Sequence, residues 1–73
     1  MMSENCVSLI DRLIEQRRRL GLTQQQLAQA ANLTQPAIAR LESKSSTPQL
    51  NTLLRVAYAL GCSLELVPVS SSE

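Results

Sequence analysis

The chain has no histidine, phenylalanine or tryptophan, and Tyr58 is its single aromatic among 73 residues. Without histidine it lacks the side chain most used for proton transfer near neutral pH and most often found on a metal. Its two cysteines, Cys6 and Cys62, form no metal-binding spacing and read as small apolar fillers with reduced thiols. There is no glycine-rich loop to cradle a phosphate and no carboxylate pair in a pocket-forming context. An enzyme is therefore not expected, nor a cofactor, nor a metal. The chain carries no signal-peptide pattern and no apolar run of membrane length, so a cytoplasmic protein without a membrane partner is expected. A core without large aromatics must be built from Leu, Ile, Val and Ala, which suits short helices packed closely. A single domain of this length lies near the lower limit for a self-sufficient core and gains by burying surface against a copy of itself.

Charge is scarce in total but unevenly placed. The formal net charge is +1, weak support by itself for a nucleic-acid partner. Four basic residues, Arg12, Arg17, Arg18 and Arg19, fall in one segment, and no acidic residue lies between Glu15 and Glu42. The stretch between those two glutamates is thus basic and rich in amides although the molecule is nearly neutral.

Within that stretch, residues 22–42 read LTQQQLAQAANLTQPAIARLE. Thr23 and Thr34 each stand before a short helical pattern, where a hydroxyl oxygen accepts from a backbone N–H that the helix cannot satisfy internally. Asn32 sits where the first of these helices must stop, and asparagine tolerates the left-handed conformation such a stop requires. Leu27, Ala28, Ala31, Leu33, Ile38 and Leu41 face inward, with the two alanines small enough for a close crossing. This is helix-turn-helix geometry, which leaves one face of the second helix polar and free to enter a major groove.

Around this unit the spacing of Leu9, Leu13 and Leu20, with Cys6, Ile10 and Arg17, predicts a first helix over about 7–20 closed by Gly21. The motif helices are expected over 24–31 and 35–42. Ser43 to Thr47 reads as a loop. Thr47 as cap and Pro48 at the first position then open a fourth helix over about 48–60, with Leu50, Leu53, Leu54, Val56, Ala57 and Leu60 on its apolar face. The segment of about 63–68 is β-prone, alternating Leu64, Leu66 and Pro68 against Glu65 and Val67. A lone strand leaves its backbone unpaired, and pairing with its own copy about a two-fold axis would satisfy it. A last helical turn or an extended tail packed on the core is the other reading. The fold expected is mainly α: four helices and a short C-terminal strand, with Leu64, Glu65, Leu66 and Val67 at a dimer interface.

The run LGLTQQQLAQAANLTQPAIARLE resembles the lambda-repressor-like, Cro/C1-type helix-turn-helix family. It combines L-T-Q at a helix start, L-A four residues on, and an I-x-x-L-E ending, and the likeness extends from about Leu9 to Leu60. The fourth helix running into LGCSLELVPV is similar to HipB-type antitoxins, small repressors whose C-terminal strands pair in the dimer and which also hold a HipA-type kinase toxin. Phage repressors and restriction-modification controllers share the first four helices. The chain departs from the family where Asn32 replaces a frequent glycine and where Pro36 replaces a frequent polar reader.

The resemblance implies a homodimeric regulator, a repressor and antitoxin, whose partners are double-stranded DNA and a HipA-like toxin. The alternatives are a protein-interaction module whose main role is neutralising that toxin, or a phage-type or restriction-modification controller regulator. On the resemblance and helix geometry together, Gln24 should reach a phosphate and Gln35 should read an adenine edge. Thr34 caps and touches the backbone, while Pro36 and Ala37 offer apolar surface to a thymine methyl. Arg40 reaches a guanine or a phosphate, and Lys44, Ser45 and Thr47 hold the DNA backbone. In the family an arginine late in the first helix pairs with the glutamate ending the recognition helix. Arg17 and Glu42 match those positions, and an ion pair fixing the helix angle is expected of them.

Overall fold

The computed structural model describes residues 2–69. Four helices follow one another: α1 (Glu4–Arg19), α2 (Gln24–Ala31), α3 (Gln35–Ser43) and α4 (Leu50–Ala59). Each start and stop has a local cause. Ser3 caps α1 by accepting from the Cys6 N–H at 3.2 Å, so the helix begins three residues before the sequence pattern suggested. At α2 the cap is reciprocal: the Gln26 N–H donates to the Thr23 hydroxyl at 3.0 Å, and the Thr23 N–H donates to Gln26 Oε1 at 2.9 Å. Thr34 caps α3 through the Ala37 N–H, with Pro36 in the first turn where its missing N–H breaks no helical bond.

The stops are equally specific. After α1, Gly21 takes φ 74° and the Leu22 N–H donates back to the Arg17 carbonyl at 3.1 Å. After α2, Asn32 sits at φ 59°, ψ 45°, and the Leu33 N–H donates to the Ala28 carbonyl at 2.8 Å. Both are left-handed stops that return the chain sharply toward the helix it has left. An Asn32→Ala variant should lose about 1 kcal/mol in chemical denaturation, whereas Asn32→Gly should stay within about 0.5 kcal/mol of the parent. Equal losses in the two variants would show that the asparagine side chain, not the backbone conformation, matters.

One core joins the helices. Ile10 and Leu13 from α1, Leu27, Ala28 and Ala31 from α2, Ile38 and Leu41 from α3, and Leu53, Val56, Ala57 and Leu60 in and after α4 are all buried. Helix α2 packs on both α3 and α4, and α1 closes against α3. The buried Ala28 and Ala31 present small side chains where α2 meets its neighbours. Burying these apolar groups is the main favourable term holding α3 in place.

Three sequence expectations need correction. No strand occurs among the described residues: residues 62–69 carry no regular structure, and Leu64, Glu65, Leu66 and Val67 form no ladder. A strand requires a second segment to bond with, and the four helices offer no sheet edge. The alternation fails as well, because Leu64 packs against the core while Leu66 is fully exposed. The segment is an irregular tail, anchored where the Cys62 N–H donates to the Ala57 carbonyl at 2.8 Å. Second, α4 begins at Leu50 with Gln49 in the cap position and no side-chain cap, so Thr47 and Pro48 belong to the loop. Third, Leu20, Leu50 and Leu54 are exposed rather than on a buried face.

Candidate nucleic-acid interface

Two capped helices crossing at a tight turn leave the N-terminal end of α3 uncovered. Thr34, Gln35 and Pro36 are exposed there, and Ala37 is half-buried beside them. Gln24, in the first turn of α2, reaches the same place: the Gln35 Nε2 donates to Gln24 Oε1 at 2.8 Å. The two amides thus meet across the motif, although eleven residues separate them in the chain.

Behind Gln24 lies a charged anchor. Arg17 Nε donates to Glu42 Oε2 at 2.7 Å and Arg17 Nη2 donates to Glu42 Oε1 at 2.9 Å, a two-pronged pair of fixed geometry. The remaining prong, Nη1, donates to the Leu22 carbonyl at 2.8 Å, a group placed by the left-handed stop at Gly21. Gln24 Nε2 donates to Glu42 Oε1 at 3.0 Å. The side chains of Arg17 and Glu42 are only 12% and 10% exposed, so water competes weakly for these bonds. The pair ties the end of α1 to the end of α3, and Gln24 ties the start of α2 to α3.

The other expected contacts lie around the C-terminal half of α3. Arg40 is exposed and, among the described residues, in no ion pair. It shares with Ala37, Thr47 and Pro48 a shallow groove of about 270 Å³ between α3 and the loop leading to α4. Lys44 ends α3 in the left-handed conformation, φ 60°, and its ammonium pairs with Asp11 of α1. Ser45 is exposed, and its hydroxyl lies 2.9 Å from that of Ser43. Thr47 is exposed beside the groove and caps no helix.

Two features of this region escaped sequence reasoning. Asp11 as the partner of Lys44 left no local signal, since the contact joins helices far apart in the chain. The bond from Gln24 to Glu42 was equally hidden, because it depends on how α2 sits across α3. No group of three or more metal-ligating side chains occurs among the described residues, and no helix there is long and apolar enough to cross a membrane.

Comparison with known proteins agrees with this geometry. A family profile described as helix-turn-helix matches residues 13–67. An uncharacterized HTH-type transcriptional regulator from Haemophilus influenzae is 44% identical over 63 residues, which are 86% of this chain and 64% of that protein. The antitoxin HigA1 of Mycobacterium tuberculosis is 37% identical over 65 residues, 89% of this chain and 44% of that protein. The chain therefore spans less than two thirds of the length of either relative. Among solved structures, a toxin-antitoxin module from Streptococcus pneumoniae superposes with a TM-score of 0.75 at 34% identity. That match covers 96% of this chain and 85% of that one.

Proposed function

Because the chain belongs to the helix-turn-helix family of Cro/C1-type transcriptional regulators, we propose that it is a sequence-specific repressor that binds a palindromic operator as a homodimer and serves as an antitoxin. The observation that carries the DNA-binding part is the amide pair of half-buried Gln24 and exposed Gln35 at the open end of a capped, core-anchored helix. In this reading α3 enters the major groove and Gln35 reads an adenine through N6 and N7. Gln24 and the N–H groups opening α2 face a phosphate. Thr34 adds a backbone contact to its capping role, and Pro36 and Ala37 supply apolar surface. Arg40 reaches a base edge or phosphate from the rim of its groove. Lys44, Ser45 and Thr47 hold the DNA backbone beyond the helix.

Two copies would place their recognition helices about 34 Å apart, in successive major grooves. Support for a homodimer comes from α4, where Leu50, Leu54 and Tyr58 recur every fourth residue and are 66%, 43% and 85% exposed. Such an apolar stripe on a small helical domain is surface for a second copy. Support for the antitoxin role comes from the likeness to HigA1 and to the S. pneumoniae toxin-antitoxin module. Its test is co-purification of a toxin encoded beside this gene.

The division of labour on DNA is separable by mutation. Gln35→Ala should weaken specific binding by about 1–3 kcal/mol and flatten the preference at one base pair. Lys44→Ala should weaken all sequences alike and lower the slope of log affinity against log salt by about one. A gel-shift series over single-base operator variants and several salt concentrations distinguishes them. Identical behaviour of the two variants would refute the assignment.

A further inference from the structure

Resting on the reading of Lys44 as a contact to the DNA backbone, we infer that Asp11 competes with phosphate for the Lys44 ammonium and so lowers affinity for every duplex alike. Asp11 lies on α1, and its carboxylate is paired with Lys44, the residue that ends α3 at φ 60°. A lysine ammonium is a compact point charge, and a carboxylate and a phosphate draw on the same attraction. To meet a phosphate oxygen, Lys44 must leave Asp11 or share its charge with it. Sharing brings a second anion close to the phosphate, and like charges repel.

The two ion pairs that join α1 to α3 differ in kind. Arg17 and Glu42 make two bonds of fixed geometry with little access for water. Lys44 reaches Asp11 on a flexible stem, and their side chains are 32% and 56% exposed. Water and salt screen such a pair, so exchanging it for another anion costs little. Its place in the fold matters as much. Glu42 is taken by Arg17 and Glu15 by Arg19, and the stretch between those two glutamates holds no acidic residue. Asp11 is thus the α1 carboxylate that stands against a proposed DNA contact. The competition involves charge and no base edge, so it lowers affinity and leaves sequence preference alone. Asp11 touches no DNA in this scheme: it is a positioning residue that acts through Lys44.

The test measures the affinity of the full chain for two unrelated mixed-sequence duplexes at low ionic strength, together with thermal melting. Asp11→Asn keeps the shape and removes the charge, and Asp11→Ala removes the group while suiting a helix interior. Each should raise affinity about two- to fivefold on both duplexes without raising the melting temperature. A purely structural pair would do the reverse, losing stability with equal or weaker binding. In a Lys44→Ala background the Asp11→Asn change should move affinity by less than about 1.5-fold, because the group it releases is gone. Unchanged or weaker binding by both Asp11 variants overturns the inference while leaving Lys44 as a DNA contact. So does a gain that persists undiminished without Lys44, which would make Asp11 a direct repeller of phosphate. If Lys44→Ala leaves affinity for both duplexes unchanged, the reading of Lys44 fails and the inference fails with it.

Discussion

Glu42→Ala should lower the melting temperature by roughly 10–20 °C and weaken DNA binding in the same protein. The thermal effect follows from what is left behind. Removing one member of a largely buried pair strands the other, a loss of about 3–5 kcal/mol when burial is complete. Each side chain here keeps about a tenth of its surface in water, and Arg17 retains its bond to the Leu22 carbonyl. The lower end, about 3 kcal/mol, is therefore expected. A domain of this size has a total stability of roughly 4–11 kcal/mol, so the loss is a large fraction. Binding should fall because Gln24 loses its anchor and α3 its tie to α1. Unchanged melting together with unchanged affinity would remove the pair from the account.

Ile38→Ala should cost the fold a comparable amount. Ile38 lies on α3 with no exposed surface and points into the core, away from the face proposed to meet DNA. Truncation removes three carbons and leaves a void that close-packed neighbours fill only in part, a loss of about 2–5 kcal/mol. Ile38→Val, with a single methylene removed, should lose about 0.5–1.5 kcal/mol. Both are measured by urea denaturation followed by circular dichroism. At temperatures where the valine variant is fully folded its DNA affinity should match the parent, since the change lies on the buried side of α3. A marked loss of affinity in folded Ile38→Val would mean that α3 is not presented as a rigid element.

How much of this was written in the sequence depends on whether the signal was local. The starts of α2 and α3 were legible because a threonine hydroxyl satisfies an N–H only three residues away. The turn between them was legible because asparagine at position 32 is chemically suited to a left-handed stop. The start of α4 was misread from the same kind of clue. Thr47–Pro48 is compatible with a helix start and with an extended loop, and Gln49 stays extended at φ −73°, ψ 148° before Leu50 begins the helix. The strand over 63–68 was misread for a deeper reason. Side-chain alternation describes one segment, whereas a strand is a relation between two. Of residues 62–69, only Cys62 and Leu64 pack against the core.

Around the candidate site, the residue types were visible and their connections were not. Gln24, Gln35 and Glu42 could each be singled out from pattern and resemblance. Their joining by two hydrogen bonds needs α2 to lie across α3 with Gln24 between the other two. The same applies to Lys44, whose position after α3 was evident but whose carboxylate partner, Asp11, lies on another helix.

On the proposed reading, the uncovered end of α3, with the start of α2 and the loop beyond Lys44, is the surface that meets a duplex. Titrating isotopically labelled protein with a mixed-sequence duplex at low ionic strength, and following backbone and side-chain amide signals, tests it most directly. Signals of residues 24, 34, 35, 37, 40 and 43–47 should shift or broaden and return on adding salt, while those facing the core stay in place. Shifts confined to α4 and residues 62–69, or none at any duplex concentration, would contradict it.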